Sequence, residues 1–282
     1  MLEMNNDCND VSIIVCTKNA EDTIEKVLEA CIKNNPKELI VVVAHSTDET
    51  IEILKKYNEV VVVEDPGKGL ALARQIGIEH ARGEYVFFCG DDNIIEEGSI
   101  GRLKQYMLSH EWVGAAMLTR LKYSDKNYWT FGSNERWILR FFEGERNTIG
   151  TPYLFATNVL KKYKYDPKMR FSDDADIEQR IRNDGYRIGY SDVICYEVGK
   201  DEWKDVKSRY IMYGQSDYEV WKKYSSEWNI VRKIKSICHP LVDELIKPFA
   251  REKNLLLKIK VLPYFVIITA VRYIGWVRAA LR

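Results

Sequence analysis

Tyr85-Val86-Phe87-Phe88-Cys89-Gly90-Asp91-Asp92-Asn93 runs from an apolar pentapeptide straight into two adjacent carboxylates. A short apolar run bounded by turn formers reads as a strand buried on both faces, and the carboxylates then fall at its carboxyl end. Upstream, residues 70–81 read as a helix, set off by Gly67-Lys68-Gly69 before it and ended by Gly83. Residues 60–63 are a β-branched strand. Ser46-Thr47-Asp48-Glu49 has capping-box spacing in front of Ile51 and Leu54, which predicts a second helix. Residues 39–43 and 11–16 are further β-branched runs, and between them Ile24, Val27, Leu28 and Cys31 fall at i, i+3, i+4, i+7, a helical stripe. The order βαβαβαβ predicts an α/β fold with a mostly parallel sheet flanked by helices. In such folds the ligand site lies at the carboxyl ends of the strands, where Asp91 and Asp92 belong.

Past residue 94 the pattern loosens into aromatic-rich stretches (Tyr128-Trp129, Trp137, Phe141-Phe142). Phe171-Ser172-Asp173-Asp174-Ala175-Asp176 then opens a helix to Asp184, with Gly185 as its stop. From Lys247 the chain turns basic and apolar: Lys247, Arg251, Lys253, Lys258, Lys260, Arg272, Arg278 and Arg282 are opposed only by Glu252, around an apolar core at 261–277. That core is a little short of the ~20 apolar residues of a spanning helix and contains Pro263 and Arg272. It is expected to lie in the plane of a membrane surface, with a short span or a helix pair docked on the core as the other readings.

The 282 residues, 46% of them hydrophobic, are enough for one large core or a core with a smaller appended unit. Lysine and arginine (42) balance aspartate and glutamate (42), so the chain as a whole has no basic field for gripping nucleic acid. Six cysteines without a CxxC pair fit a reducing cytoplasm, and residues 1–10 lack the charge and apolar pattern of a secretory signal.

An isolated Asp-Asp pair is first of all a turn with a helix cap, and with other motifs beside it can supply ligands for a hard cation such as Mg²⁺ or Mn²⁺, which takes carboxylate oxygens together with substrate phosphates. The four histidines are scattered and no zinc-type spacing occurs. Gly67-Lys68-Gly69 fits neither the Walker nor the dinucleotide glycine pattern, which weighs against ATP hydrolysis and NAD binding. Arg74, on the helix that follows, is either a phosphate ligand near the strand ends or a surface arginine. Asp173, Asp174 and Asp176 are close enough in sequence for repulsion and burial to raise one pKa, as a general base requires, or they form a solvated helix start.

Taken in order, these stretches resemble family-2 glycosyltransferases of the GT-A fold over roughly residues 11–214. Ser12-Ile-Ile-Val-Cys-Thr17-Lys-Asn19 resembles the opening strand and nucleotide-contacting turn, and Ser46-Thr47-Asp48 the tail of the Asp-Gly-Ser-Thr-Asp signature. Residues 67–77 resemble the Gly-x-x-x-Ala-Arg-Asn-x-Gly helix, and residues 83–93 the strand ending in the DxD-type metal motif. Ser172-Asp173-Asp174-Ala175 resembles the Thr-Glu-Asp-Ala motif of the catalytic base, and Arg209-Tyr-Ile-Met-Tyr213-Gly214 resembles the Arg-x-x-Arg-Tyr-Gly helix. Ala44-His45 stands where the family has Asp-Gly, Gly90 where it has the first Asp of DxD, and Asp173 where it has Glu.

The resemblance implies an inverting transfer of sugar from a UDP- or GDP-sugar to an acceptor hydroxyl on a glycan or polyprenyl-linked molecule. Asp174 would be the base with Asp173 as acidic support. Asp92 would hold Mn²⁺ or Mg²⁺, with Asp91 and Arg74 towards the phosphates and Thr17, Asn19 and Glu21 at the nucleoside end. The implied organisation is a disordered start over 1–10, a Rossmann-like nucleotide-sugar-binding half over 11–93, an acceptor-binding half over 94–215 and a helical membrane-associating region over 216–282. The implied location is cytoplasmic, peripheral on the inner face of the cell membrane. A non-catalytic nucleotide-sugar-binding or scaffold protein of the same fold is the rival that Ala44 and Gly90 motivate.

Overall fold

The computed structural model describes residues 8–199 and 202–282. Residues 1–7, most of the stretch expected to be disordered, lie outside the described residues, and Cys8–Asp10 already belong to the first strand. The elements in chain order are β1 Cys8–Thr17, α1 Ile24–Ile32, β2 Pro36–Ala44, α2 Thr50–Leu54, β3 Val60–Asp65, α3 Leu70–His80, β4 Tyr85–Gly90, β5 Asn93–Ile94, α4 Ser99–Ser109 and β6 Gly114–Leu121. They continue with α5 Tyr128–Arg140, β7 Gly144–Arg146, β8 Tyr153–Ala156, α6 Thr157–Tyr163, α7 Asp173–Asn183, β9 Ile188–Glu197, α8 Trp203–Tyr224, α9 Ile230–Leu241, α10 Lys247–Arg251 and α11 Leu255–Ala280.

Two compact units result. The first runs to Thr119 and resumes over Glu143–Val198; the second comprises Arg120–Phe142 and Gly199–Arg282. The chain therefore divides elsewhere than at residues 93 and 215. Strand β4, which leads to Asp91 and Asp92, and helix α7, which carries Asp174, share the first unit.

In that unit the sheet runs β3-β2-β1-β4-β8-β6-β9-β5, with β7 also paired to β9. Strands β3, β2, β1 and β4 are parallel, whereas β8 is antiparallel to both β4 and β6, and β5 and β7 are antiparallel to β9. The sheet is thus mixed, parallel where the βα alternation was legible. Central β1 explains its own sequence: Val11, Ile13, Ile14 and Val15 are fully buried, as a strand covered by helices on both faces requires. Edge strand β3 leaves Val61 and Val62 exposed. The stripe Ile24, Val27, Leu28 and Cys31 packs wholly into the core.

The second unit is helical around Val206, Tyr210, Val261, Tyr264, Phe265 and Ile268. Helices α8 and α11 meet at two glycines: a Cβ on Gly214 would lie 1.9 Å from the Arg272 carbonyl oxygen, and one on Gly275 would lie 2.2 Å from that of Ile211. Among the described residues no helix is long and apolar enough to cross a membrane, which removes the short C-terminal span that stood as an alternative to an in-plane helix. The physical reason is that Lys258, Lys260, Arg272 and Arg278 interrupt the apolar run of α11, and Arg272 is buried within the unit against Asp217 and Glu244.

Candidate active site

The loops after β1 and β2 are laced together. The Asn19 amide donates to Ser46 Oγ (3.1 Å), the Glu21 amide to Asp48 Oδ2 (3.1 Å) and the Ala20 amide to Thr50 Oγ1 (2.8 Å). In return the Thr47 amide donates to Asn19 Oδ1 (2.9 Å) and the Glu49 amide to Glu21 Oε2 (2.9 Å). Asn19 holds a left-handed backbone, φ 52°, which asparagine tolerates better than most residues. Ser46-Thr-Asp-Glu49 is therefore not the expected capping box: helix α2 starts at Thr50, with Glu49 at its N-cap making no side-chain cap bond. The polar side chains fix a rigid rim at the carboxyl ends of β1 and β2 instead. Asp65, which no sequence motif singles out, stands in register with Ala44. Side chains in register project from the same face of neighbouring strands, about 4.8 Å apart.

At the next strand end Thr17 Oγ1 donates to Asp91 Oδ2 (3.0 Å), and the Val198 amide donates to the Asp92 carbonyl (3.2 Å), which ties this turn to the end of β9. The Gly90 amide donates to Asn93 Oδ1 (3.0 Å). A Cβ on Gly90 would sit 2.6 Å from that oxygen and 3.2 Å from Asp92 Oδ1, so the local turn itself accounts for glycine where the family has aspartate. Among the described residues no three His, Cys, Asp or Glu side chains gather as a metal cage. Two adjacent hard-oxygen donors fit a cation that completes its shell from phosphates, as Mg²⁺ and Mn²⁺ do. The neighbouring Cys89 is buried, and Cys16 is pushed up to about 12 by burial, so neither offers a thiolate.

The third part of the site joins α3 to α7. Arg74 is 6% exposed; its Nη1 donates to Asp173 Oδ2 (2.6 Å) and its Nη2 to Thr151 Oγ1 (2.8 Å). The guanidinium lies 5.6–5.8 Å from the ring centres of Phe88, Tyr153 and Tyr165. Burial works against its charge, but Asp173 overrides that and holds it firmly protonated. In this state both its bonded nitrogens face protein partners, so the arginine organises Asp173. Asp174, next along the first turn of α7, is half-buried with its Oδ1 accepting from the Ala175 amide (2.8 Å). Burial, then repulsion from Asp173, raise its carboxyl to about 6, with Arg74 pulling the other way. One turn on, Glu178 is fully buried, accepts from the Ile149 amide (3.0 Å) and is pushed well above the ordinary glutamate range by burial and by Asp174.

Arg74, Asp173, Asp65 and Asp91 all lie near enough to act on the Cys16 thiol, so both acidic clusters border the carboxyl end of β1. Thr151, Tyr153, Tyr165 and Glu178 belong to this site and were not foreseen. They arrive from distant segments, and no local pattern marks them. Tyr153 and Tyr165, from the half expected to bind acceptor, are buried and hydrogen-bonded to each other (2.6 Å) beside Arg74. Trp129 stacks on Trp203 at 4.7 Å inside the second unit.

The model of glycosyl transferase family 2 matches residues 12–166, more than half of the chain. The chain belongs to this family. Asp173 and Asp174 lie just beyond the matched segment. Among curated relatives, the chain is 31% identical over 240 residues to the poly(ribitol-phosphate) beta-N-acetylglucosaminyltransferase TarS of Staphylococcus aureus, covering 77% of this chain and 40% of TarS. It is 32% identical over 105 residues to TarP of the same organism, an enzyme of the same description, covering 34% of this chain and 32% of TarP. The chain thus spans under half the length of these relatives. The mannosyltransferase PcManGT of Pyrobaculum calidifontis, solved with GDP-Man and Mn²⁺, superposes with a TM-score of 0.67 at 18% identity over 96% of this chain and 86% of that one. That likeness establishes the GT-A-like fold.

Proposed function

We propose that this family-2 member transfers a sugar from a nucleoside diphosphate sugar to an acceptor hydroxyl with inversion. The observation that carries the reading is the buried Arg74–Asp173 pair (2.6 Å), which sets Asp174 beside it near the carboxyl end of β1, where Thr17 holds Asp91. The acceptor hydroxyl gives its proton to Asp174 as its oxygen bonds to the anomeric carbon. The bond from that carbon to the diphosphate oxygen breaks, its electron pair leaving with the diphosphate, so a single displacement inverts the centre. A divalent cation held by Asp92, with Asp91 beside it, would neutralise the leaving diphosphate. Thr17 orients Asp91. The laced rim of Asn19 and Glu21 receives the nucleoside, with Asp65 offering the carboxylate that Ala44 lacks.

In this reading the acceptor is lipid-linked or a surface glycan, and the enzyme works at the inner face of the cell membrane. The poly(ribitol-phosphate) named for two relatives supports a polymer as acceptor. The non-catalytic rival loses its main motive, because Gly90 is explained by Asn93.

Calorimetric titration with UDP, GDP, dTDP and CMP, each with Mn²⁺ and then with chelator, tests the proposal. The expected result is metal-dependent binding of one diphosphate, lost in Asp92→Asn and retained in Asp174→Asn, with transfer absent from both variants. Full transfer by Asp174→Asn would remove the base assignment, and no nucleotide binding at all would overturn the transferase reading and leave only the scaffold form of the rival.

A further inference from the structure

Helix α11 is built inside out for a water-facing helix. One side packs within its unit through Val261, Tyr264, Phe265, Ile268 and Val271. The opposite side carries Leu255, Ile259, Leu262 and Val266 at i, i+4, i+7, i+11, then Ile274, Val277 and Leu281, all between 43% and 82% exposed. The helix contains no Asp or Glu, and its outward stripe is flanked at helical spacing by Lys260 and Arg278 on one side and Lys258 on the other. Helix α9 repeats the pattern. Its Ile230, Ile234, Ile237 and Leu241 form a stripe 40–69% exposed, with Arg232 and Lys235 on the remaining exposed arc. The Tyr273 hydroxyl of α11 donates to the Ile237 carbonyl (2.9 Å), which joins the two helices.

We propose that the exposed stripes of α9 and α11 form a surface that lies flat on an anionic lipid bilayer, embedding the aliphatic side chains at headgroup depth. This deepens the membrane placement in the proposed function and rests on that reading only for the location of the acceptor. Charge selects the occupant. Over residues 230–282 eleven Lys and Arg stand against three Asp and Glu, and of those acids Glu244 is buried and Asp243 is paired with Lys247 and His239. A second copy docked on the same stripe would set Lys258, Lys260 and Arg278 against their own kind, whereas anionic headgroups accept them. Apolar residues between flanking basic ones is the arrangement of an in-plane helix.

The test is flotation of the full chain with vesicles of phosphatidylcholine alone and of phosphatidylcholine with an equal part of phosphatidylglycerol, without donor or acceptor. Binding to the anionic vesicles only, weakened by salt, is expected. Ile259→Glu with Val266→Glu should abolish it, and Lys258→Glu with Lys260→Glu should weaken it by about tenfold or more, from the contribution each basic residue makes near an anionic surface. All four positions belong to the second unit and none to the candidate site, and circular dichroism with urea midpoints of the variants reports an intact fold. Equal flotation by wild type and variants, or a concentration-dependent dimer in light scattering with no vesicle binding, would overturn the proposal. Because flotation uses no donor, its failure leaves the transferase reading untouched, and failure of nucleotide binding leaves this one untouched.

Discussion

Asp174 illustrates how a residue is made reactive at the expense of the fold. Its carboxyl titrates at about 6 in the folded chain, against roughly 3.9 for an unfolded aspartate, so the native state holds its proton more tightly. The linked contribution therefore favours folding at low pH and is lost as pH rises through about 6. Asp174→Asn removes the ionisation, and at pH 7 it is expected to stabilise the protein by roughly 1–3 kcal/mol, an advantage that fades below about pH 4. The same substitution should abolish transfer, whose rate in the wild type should rise through about pH 6 as the base ionises. Denaturation midpoints of both proteins across this range decide the matter, and a midpoint at pH 7 no higher in the variant would contradict the raised pKa. This much was legible in part: three aspartates within four positions left open whether one would be perturbed or all would form a solvated helix start. Which one depended on Arg74 reaching Asp173 across 99 positions, a contact that sequence spacing does not encode.

At the scale of elements, the parallel βα half was readable because β1, β2 and β4 are buried on both faces, α1 carries a clean apolar stripe and glycines bracket α3. The strand and helix expected at 85–89 and 70–81 became β4 Tyr85–Gly90 and α3 Leu70–His80. The antiparallel strands β6 to β9 were not assigned, since β7 and β8 are three and four residues long and take their identity from partners far away. The motif ending at Gly214 was readable as a resemblance, but its physical meaning is a crossing of helices. With 1.9 Å between the position a methyl group would take and the Arg272 carbonyl oxygen, even alanine forces the backbones of α8 and α11 apart. Gly214→Ala is expected to cost about 1–3 kcal/mol, the usual range for overpacking, despite alanine's better helix propensity. A urea titration checks the sign: an unchanged or raised midpoint would show that the crossing is looser than the geometry indicates.

Across the molecule, 42 basic and 42 acidic residues cancel, and that balance conceals how differently the charges are used. Arg272 counts in the sequence as one more basic residue of the tail, yet it is buried with its guanidinium bonded to Asp217 (2.6 and 2.7 Å) and Glu244 (2.5 Å). Glu244 also accepts two bonds from Arg136 (2.6 and 2.7 Å) and one from Arg140. Composition cannot separate such neutralised charges from solvated ones, which is why the tail's basicity was legible and its internal anchoring was not. Burial alone would raise the Glu244 carboxyl, but Arg136 and Arg140 hold it well below the usual glutamate range. Its stabilising effect is therefore fully present above about pH 4.3, the unfolded value, and lost as pH falls through the lower folded one. Glu244→Gln keeps the shape and removes the charge, leaving buried guanidinium groups short of a counter-ion, so a loss of about 3–5 kcal/mol at pH 7 is expected. Since the network is shielded from solvent, that loss should change little between low and high salt, unlike the vesicle binding of the exposed lysines. Urea midpoints at two salt concentrations measure both statements, and a loss that shrinks strongly with salt would place these charges at the surface.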